Sequence, residues 1–156
     1  MDKEAYADHV EKLKYRLYRT AWLYLGSESA ALDAVDECVY LGLKHLKQLR
    51  HPEFFNTWLT RILINVCKQE LRRMKREQSA EYPPEESEAF DYDALPLREA
   101  IRRLPEELRQ VVILRYFTGY TQIETAEALH IPQGTVVTRQ RRALQLLKLD
   151  LEEVDV

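Results

Sequence analysis

The chain has 156 residues, 46% hydrophobic and 31% charged, with a net charge of -3, enough for one domain or two small ones. Two cysteines, four scattered histidines and four glycines provide neither metal-ligand spacing nor a phosphate-cradling loop, so no metal, cofactor, small-molecule substrate or catalytic site is expected. No apolar run approaches the roughly 18 residues of a membrane span and no cleavable leader opens the chain, which predicts a cytoplasmic protein.

Near-neutrality hides a segregation of charge. Residues 51–76 carry six basic and two acidic side chains, residues 77–99 one and eight, and residues 100–148 eight and four. The pattern predicts two lobes, residues 1–76 and 94–156, joined by a flexible acidic linker at 77–93, and the helical periodicity of both lobes makes the expected fold class all-α, two small helical domains.

Three helices are readable in the first lobe. Val10, Leu13, Leu17, Ala21 and Leu25 share one face of the first, which Gly26-Ser27 ends. Ser27 or Ser29 can cap the second, whose stripe is Val35, Cys38, Val39, Leu46 and Leu49. Its other face carries Asp33, Asp36, Glu37, Tyr40 and Lys44. His51-Pro52 opens the third, with Phe55, Trp58, Leu59, Ile62, Val66 and Leu71 at helical spacing. Phe55, Trp58 and the two thiols, Cys38 and Cys67, are expected in the core. This helix ends in Arg72-Arg73-Met74-Lys75-Arg76, more cation than its dipole requires. Aromatic rings beside such a cluster are what a single-strand binder uses, because bases stack on rings while the backbone tracks positive charge.

Glu77 to Asp93 holds seven acids and Pro83-Pro84, too little apolar surface to offset ordering entropy. An acidic run of this kind is ordinarily a solvated spacer. A sharper alternative is a mimic of nucleic acid lying in a partner's basic channel. Fully extended, the segment reaches at most about 60 Å.

The second lobe carries the more informative pattern. Thr121-Gln122-Ile123-Glu124 fits a capping box, so a short helix begins at Gln122, buries Ala126 and Leu129, and runs out near His130 before Ile131-Pro132. His130 stands where Gly is usual, in a turn that needs left-handed backbone. A further helix starts between Gln133 and Thr135, with Val136, Ala143, Leu144 and Leu147 as its apolar stripe. Val137, Thr138, Arg141, Arg142 and Gln145 face outward, with Arg139 at the edge. A basic helical hairpin alone would be an ordinary solvated face. Capping box, tight turn and three arginines in four positions together predict a DNA-binding helix-turn-helix.

Both lobes match one family. "LPEELRQVVILRYFTGYTQIETAEALHIPQGTVVTRQRRALQLLK" resembles region 4, and "FFNTWLTRILINVCKQELRR" region 2.4, of the extracytoplasmic-function (group IV, sigma-70-like) sigma factors. The resemblance implies a non-enzymatic subunit that binds core RNA polymerase through its clamp helices and flap and directs it to promoter DNA. By position, Val137, Thr138, Arg139, Arg141 and Arg142 would face the minus-thirty-five major groove, with Thr135 near phosphate. Arg61, Asn65, Arg72 and Arg73 would line the minus-ten surface, and the loop 49–56, with Phe54 and Asn56, would hold a flipped base. Asp36 and Glu37, with Tyr40 beside them, match the helix that docks on polymerase. Such proteins are usually held by an anti-sigma factor, often membrane-anchored.

The chain also departs from the family. Ala34 to Tyr40 reads AVDECVY where an Ala-Glu-Asp-Leu-Val-Gln-Glu run is usual. Gln69 replaces a common Asp and Ile64 a common basic residue, which implies an unusual minus-ten preference. Val137 replaces a frequent basic residue, shifting readout toward a thymine methyl. The rival is a stand-alone dimeric helix-turn-helix regulator, which would bind a two-fold symmetric site without polymerase.

Overall fold

The computed structural model describes residues 1–78 and 95–154; the acidic linker lies almost wholly outside them. Two compact units, Met1–Glu86 and Ser87–Val156, divide the chain, and the secondary structure of the described residues is helical throughout.

The first unit packs three helices pairwise: α1 (Lys3–Leu25), α2 (Glu28–Lys44) and α3 (Phe55–Gln78). Asp2 caps α1 through its side chain, and Gly26 ends it in the left-handed conformation, φ 74°, where only glycine is unstrained. Ser27 rather than Ser29 caps α2, accepting from the Ala30 amide. All five predicted stripe residues of α1 are buried, together with Val35 and Cys38 of α2 and Phe55, Leu59, Leu63, Ile64 and Cys67 of α3. The Cys38 thiol donates to the Leu59 carbonyl at 3.4 Å, and burial pushes it up to about 12. The same cause raises Cys67 further, leaving both as inert protonated thiols.

Two expectations are corrected here. The second helix stops at Lys44, and Leu46–Gln48 form a separate 3-10 turn. Leu46 opens that turn and Leu49 follows it, both half-buried and at the spacing a continued helix would give, so periodicity alone could not show the break. Trp58 is only half-buried, its ring tilted against the fully buried Phe55 at 6.1 Å.

In the second unit, α4 (Leu95–Arg103) and α5 (Glu106–Val112) precede one π-helical turn, Ile113–Phe117, after which come α6 (Gln122–Leu129) and α7 (Gln133–Val154). Three helices, α4, α5 and α6, pack against α7. Val111, Ala126 and Val136 form the cluster that joins α5, α6 and α7, with Leu129 and Ile131 against it. Both arms of the capping box are present: the Glu124 amide donates to Thr121 Oγ1 at 3.1 Å, and the Thr121 amide to Glu124 Oε1 at 3.0 Å. His130 is left-handed, φ 56° and ψ 46°. The Ile131 amide reaches the Ala126 carbonyl at 3.1 Å, which makes the turn a Schellman motif. Leu144 departs from the predicted stripe. It is 42% exposed while Val136, Ala143 and Leu147 are buried, since eight residues on it lies about 80° round the helix from Val136.

Candidate nucleic-acid interface

The helix-turn-helix presents α7 from its N-terminus outward. Thr138, Arg141 and Arg142 are exposed, and Thr135 and Val137 are half-buried along the flank. Thr138 Oγ1 donates back to the Gly134 carbonyl at 3.0 Å. Its hydroxyl retains lone pairs, and its methyl remains available to an apolar partner. Arg139 is turned aside. Only 26% of its side chain is exposed, and a nitrogen lies 3.7 Å from a Glu107 carboxylate oxygen. The structure thus brings Thr138, Arg141 and Arg142 together on the outward face and ties Arg139 to α5.

On α3, Arg61, Asn65 and Arg72 are all exposed and, at offsets 0, 4 and 11, fall on one face. No acid stands in that row. Arg73 lies to one side, bridging Glu70 and Glu77 within its own helix. The Glu70 carboxylate, by hydrogen bond and charge, and then Glu77 raise its guanidinium pKa. Arg73 therefore meets any phosphate with its charge already balanced, whereas Arg72 and Lys75 are exposed cations. Before α3, a 3-10 turn at Pro52–Phe54 leaves the Phe54 ring 44% exposed, edge-on to His51 at 6.1 Å. Asn56 is exposed in the first turn of α3. Phe54 and Asn56 thus stand at the N-terminal end of α3, opposite its cationic end.

The outward face of α2 is different in kind. Asp36, Glu37 and Tyr40 are exposed, and beside them Leu32 is 55% and Leu43 42% exposed. Apolar side chains set among acids suit a protein partner better than a polyanion. Between α2 and α3 runs a groove of about 620 Å³ lined by Asp33, Glu37, Gln69, Glu70, Arg73 and Arg76, among others.

Known sigma regions match both units. The model of sigma-70 region 2 matches residues 9–77 and that of sigma-70 region 4 matches residues 100–149. RNA polymerase sigma factor SigV of Bacillus subtilis is 30% identical over 92% of this chain and 89% of its own length. The chain belongs to the sigma-70 family. Its relatives include the ECF RNA polymerase sigma factor SigM of Mycobacterium tuberculosis, 30% identical over 91% of this chain and 74% of the relative. As an extracytoplasmic-function sigma factor it is a non-enzymatic subunit that binds core RNA polymerase and directs it to promoters. The fold is shared with CnrH, solved in complex with the cytosolic domain of CnrY, at a TM-score of 0.77 and 21% identity over 97% of this chain and 90% of that one. RpoE of Bartonella quintana, solved with the anti-sigma factor NepR, gives 0.73 and 20% over 93% and 97%.

For this sigma factor, two departures from the family acquire a location. Ile64 is 2% exposed and belongs to the core of the first unit. Gln69, exposed one turn beyond Asn65, lines the groove between α2 and α3. Sequence reasoning missed a further group beside α7: Arg115 and Tyr116, on the π-helical turn, both hold Gln140. They are 25 and 24 residues away, respectively, beyond any local periodicity.

Proposed function

We propose that the two units divide promoter recognition between an opened strand and a duplex. Residues 1–76 form the region that holds core polymerase and reads the minus-ten element. Residues 94–156 form the one that reads the minus-thirty-five element, and residues 77–93 join them. The observation that carries this reading is that each unit presents one cationic outward helix face: Arg61, Asn65 and Arg72 on α3, and Thr138, Arg141 and Arg142 on α7. Phe54 and Asn56 would meet an unstacked base at the N-terminal end of α3, and Arg73, near its other end, borders the groove between α2 and α3. Val137 and Thr135 flank the duplex contact, and Arg139 supports it through Glu107.

Polymerase docking falls to the acidic and apolar face of α2, through Asp36, Glu37, Tyr40 and Leu32. No helix of the described residues is long and apolar enough to cross a membrane, and the site of action is the cytoplasm, where the polymerase is. RpoE of Bartonella quintana has been solved with the anti-sigma factor NepR, and CnrH with the cytosolic domain of CnrY, and we include an anti-sigma partner, often membrane-anchored in this family, in the proposal. The rival dimeric regulator is not favoured, because the two halves of the chain match sigma-70 regions 2 and 4.

Footprinting of holoenzyme tests the division. Arg142→Ala should erase protection of the upstream element while leaving the downstream one on promoters that open without it. Arg72→Ala should do the reverse. Equal loss at both elements in either variant would refute separate reading surfaces.

A further inference from the structure

Gln140 sits between Arg139 and Arg141 on α7, yet its side chain faces the protein. Its amide is used at both ends: Arg115 Nε donates to Oε1 at 3.0 Å, and Nε2 donates to the Tyr116 hydroxyl at 3.0 Å. Arg115 is itself fixed, since Nη1 donates to the Tyr120 carbonyl at 2.6 Å and its guanidinium lies 5.6 Å from the centre of the Tyr116 ring. Tyr120 is buried, and its amide closes on the Leu114 carbonyl at 2.9 Å. The π-helical turn at Ile113–Phe117 displays both partners: its extra residue per turn lets the Thr118 amide reach Ile113, and such turns recur at functional sites. On the other flank of α7, Arg139 meets Glu107. The helix is therefore braced on two sides, at consecutive positions, against α5 and the turn that follows it.

We propose that Gln140, held by Arg115 and Tyr116, is a positioning residue that sets the orientation of α7 and so governs which minus-thirty-five sequences Thr138 and Arg141 can read. The inference rests on the reading of α7 as the duplex-reading helix. Base discrimination depends on side chains meeting base edges at hydrogen-bond geometry, whereas phosphate attraction tolerates displacement. A loosened brace should thus cost selectivity before it costs general affinity.

The test uses holoenzyme and a library of promoters randomised in the upstream element, comparing Gln140→Ala, Tyr116→Phe, Gln140→Glu and Arg141→Ala with wild type. Tyr116→Phe removes one exposed oxygen and keeps the ring, so folding is not in question. Both Gln140→Ala and Tyr116→Phe should reduce discrimination between best and median sequences by about fivefold, the equivalent of one hydrogen bond. They should leave transcription from promoters independent of the element unchanged. Gln140→Glu should keep discrimination, because a carboxylate accepts from both Arg115 and the Tyr116 hydroxyl, while binding all sequences more weakly and with altered salt dependence. Uniform weakening in Tyr116→Phe, with the ranking of sequences intact, would overturn the proposal in favour of a direct phosphate contact. An unchanged spectrum in Gln140→Ala beside a changed one in Arg141→Ala would overturn the brace alone. No change in Arg141→Ala would remove the underlying reading of α7.

Discussion

A Cβ on Gly42 would lie 2.5 Å from the Tyr6 hydroxyl and 2.6 Å from Leu59 Cδ1, so the three helices of the first unit close on each other where α2 has no side chain. The Tyr6 hydroxyl cannot easily yield, because it donates to the Val39 carbonyl at 2.5 Å. Gly42→Ala should therefore destabilise the first unit by about 1–3 kcal/mol, the usual cost of overpacking. Urea unfolding would show this as a lowered midpoint, and an unshifted midpoint would contradict it. Burial, with the neighbouring Cys38 second, pushes the Tyr6 phenol from 10.0 up to about 12. A raised acid binds its proton more tightly in the folded state, so its contribution is complete below pH 10 and is lost as pH rises to about 12. Tyr6→Phe should be less stable than wild type at pH 7, by about 1 kcal/mol for the lost hydrogen bond. The gap should narrow above pH 10, and a gap that stays constant to pH 12 would show that Tyr6 does not titrate with folding.

Helix α6 has only eight residues, too short to persist without tertiary help and good ends. Its start depends on reciprocal bonds between Thr121 and Glu124. Thr121→Ala should cost about 1 kcal/mol, visible as faster amide exchange in α6 with little change in the first unit; equal protection in the two proteins would show that the box is not what holds the helix. This box, the helix that follows it and the outward set on α7 were legible in sequence because each is written within four to eleven residues. Where the expectation failed, the deciding contacts lay farther off. Leu46 and Leu49 kept their spacing across the end of α2, so the change from α to 3-10 left no trace in periodicity. Arg139 follows the arginine pattern of its neighbours, but Glu107 turns it away. Arg73 belongs to the basic run, yet Glu70 and Glu77 already engage it. Helix α4, with Ala100 and Ile101 buried, adjoins the acidic segment and was hidden by its composition.

At the scale of the whole molecule, opposite requirements are kept apart. The face of α2 that suits a protein partner is acidic and apolar, while α3 and α7 carry cations for a polyanion. Neither reading face is extensive: two arginines in the outward set on α7 and two in the row on α3 give few phosphate neutralisations, and affinity for duplex grows with that number. The isolated chain should accordingly hold promoter DNA weakly, and polymerase should supply the rest by placing both units on one template, where the second contact becomes intramolecular. Transcription in vitro, with purified core polymerase and a library of genomic fragments, tests this most directly. Initiation is expected at fixed start sites sharing two upstream elements, dependent on added protein, with only weak and salt-sensitive binding to the same fragments by the protein alone. Tight polymerase-independent binding to a two-fold symmetric site, without initiation, would contradict it.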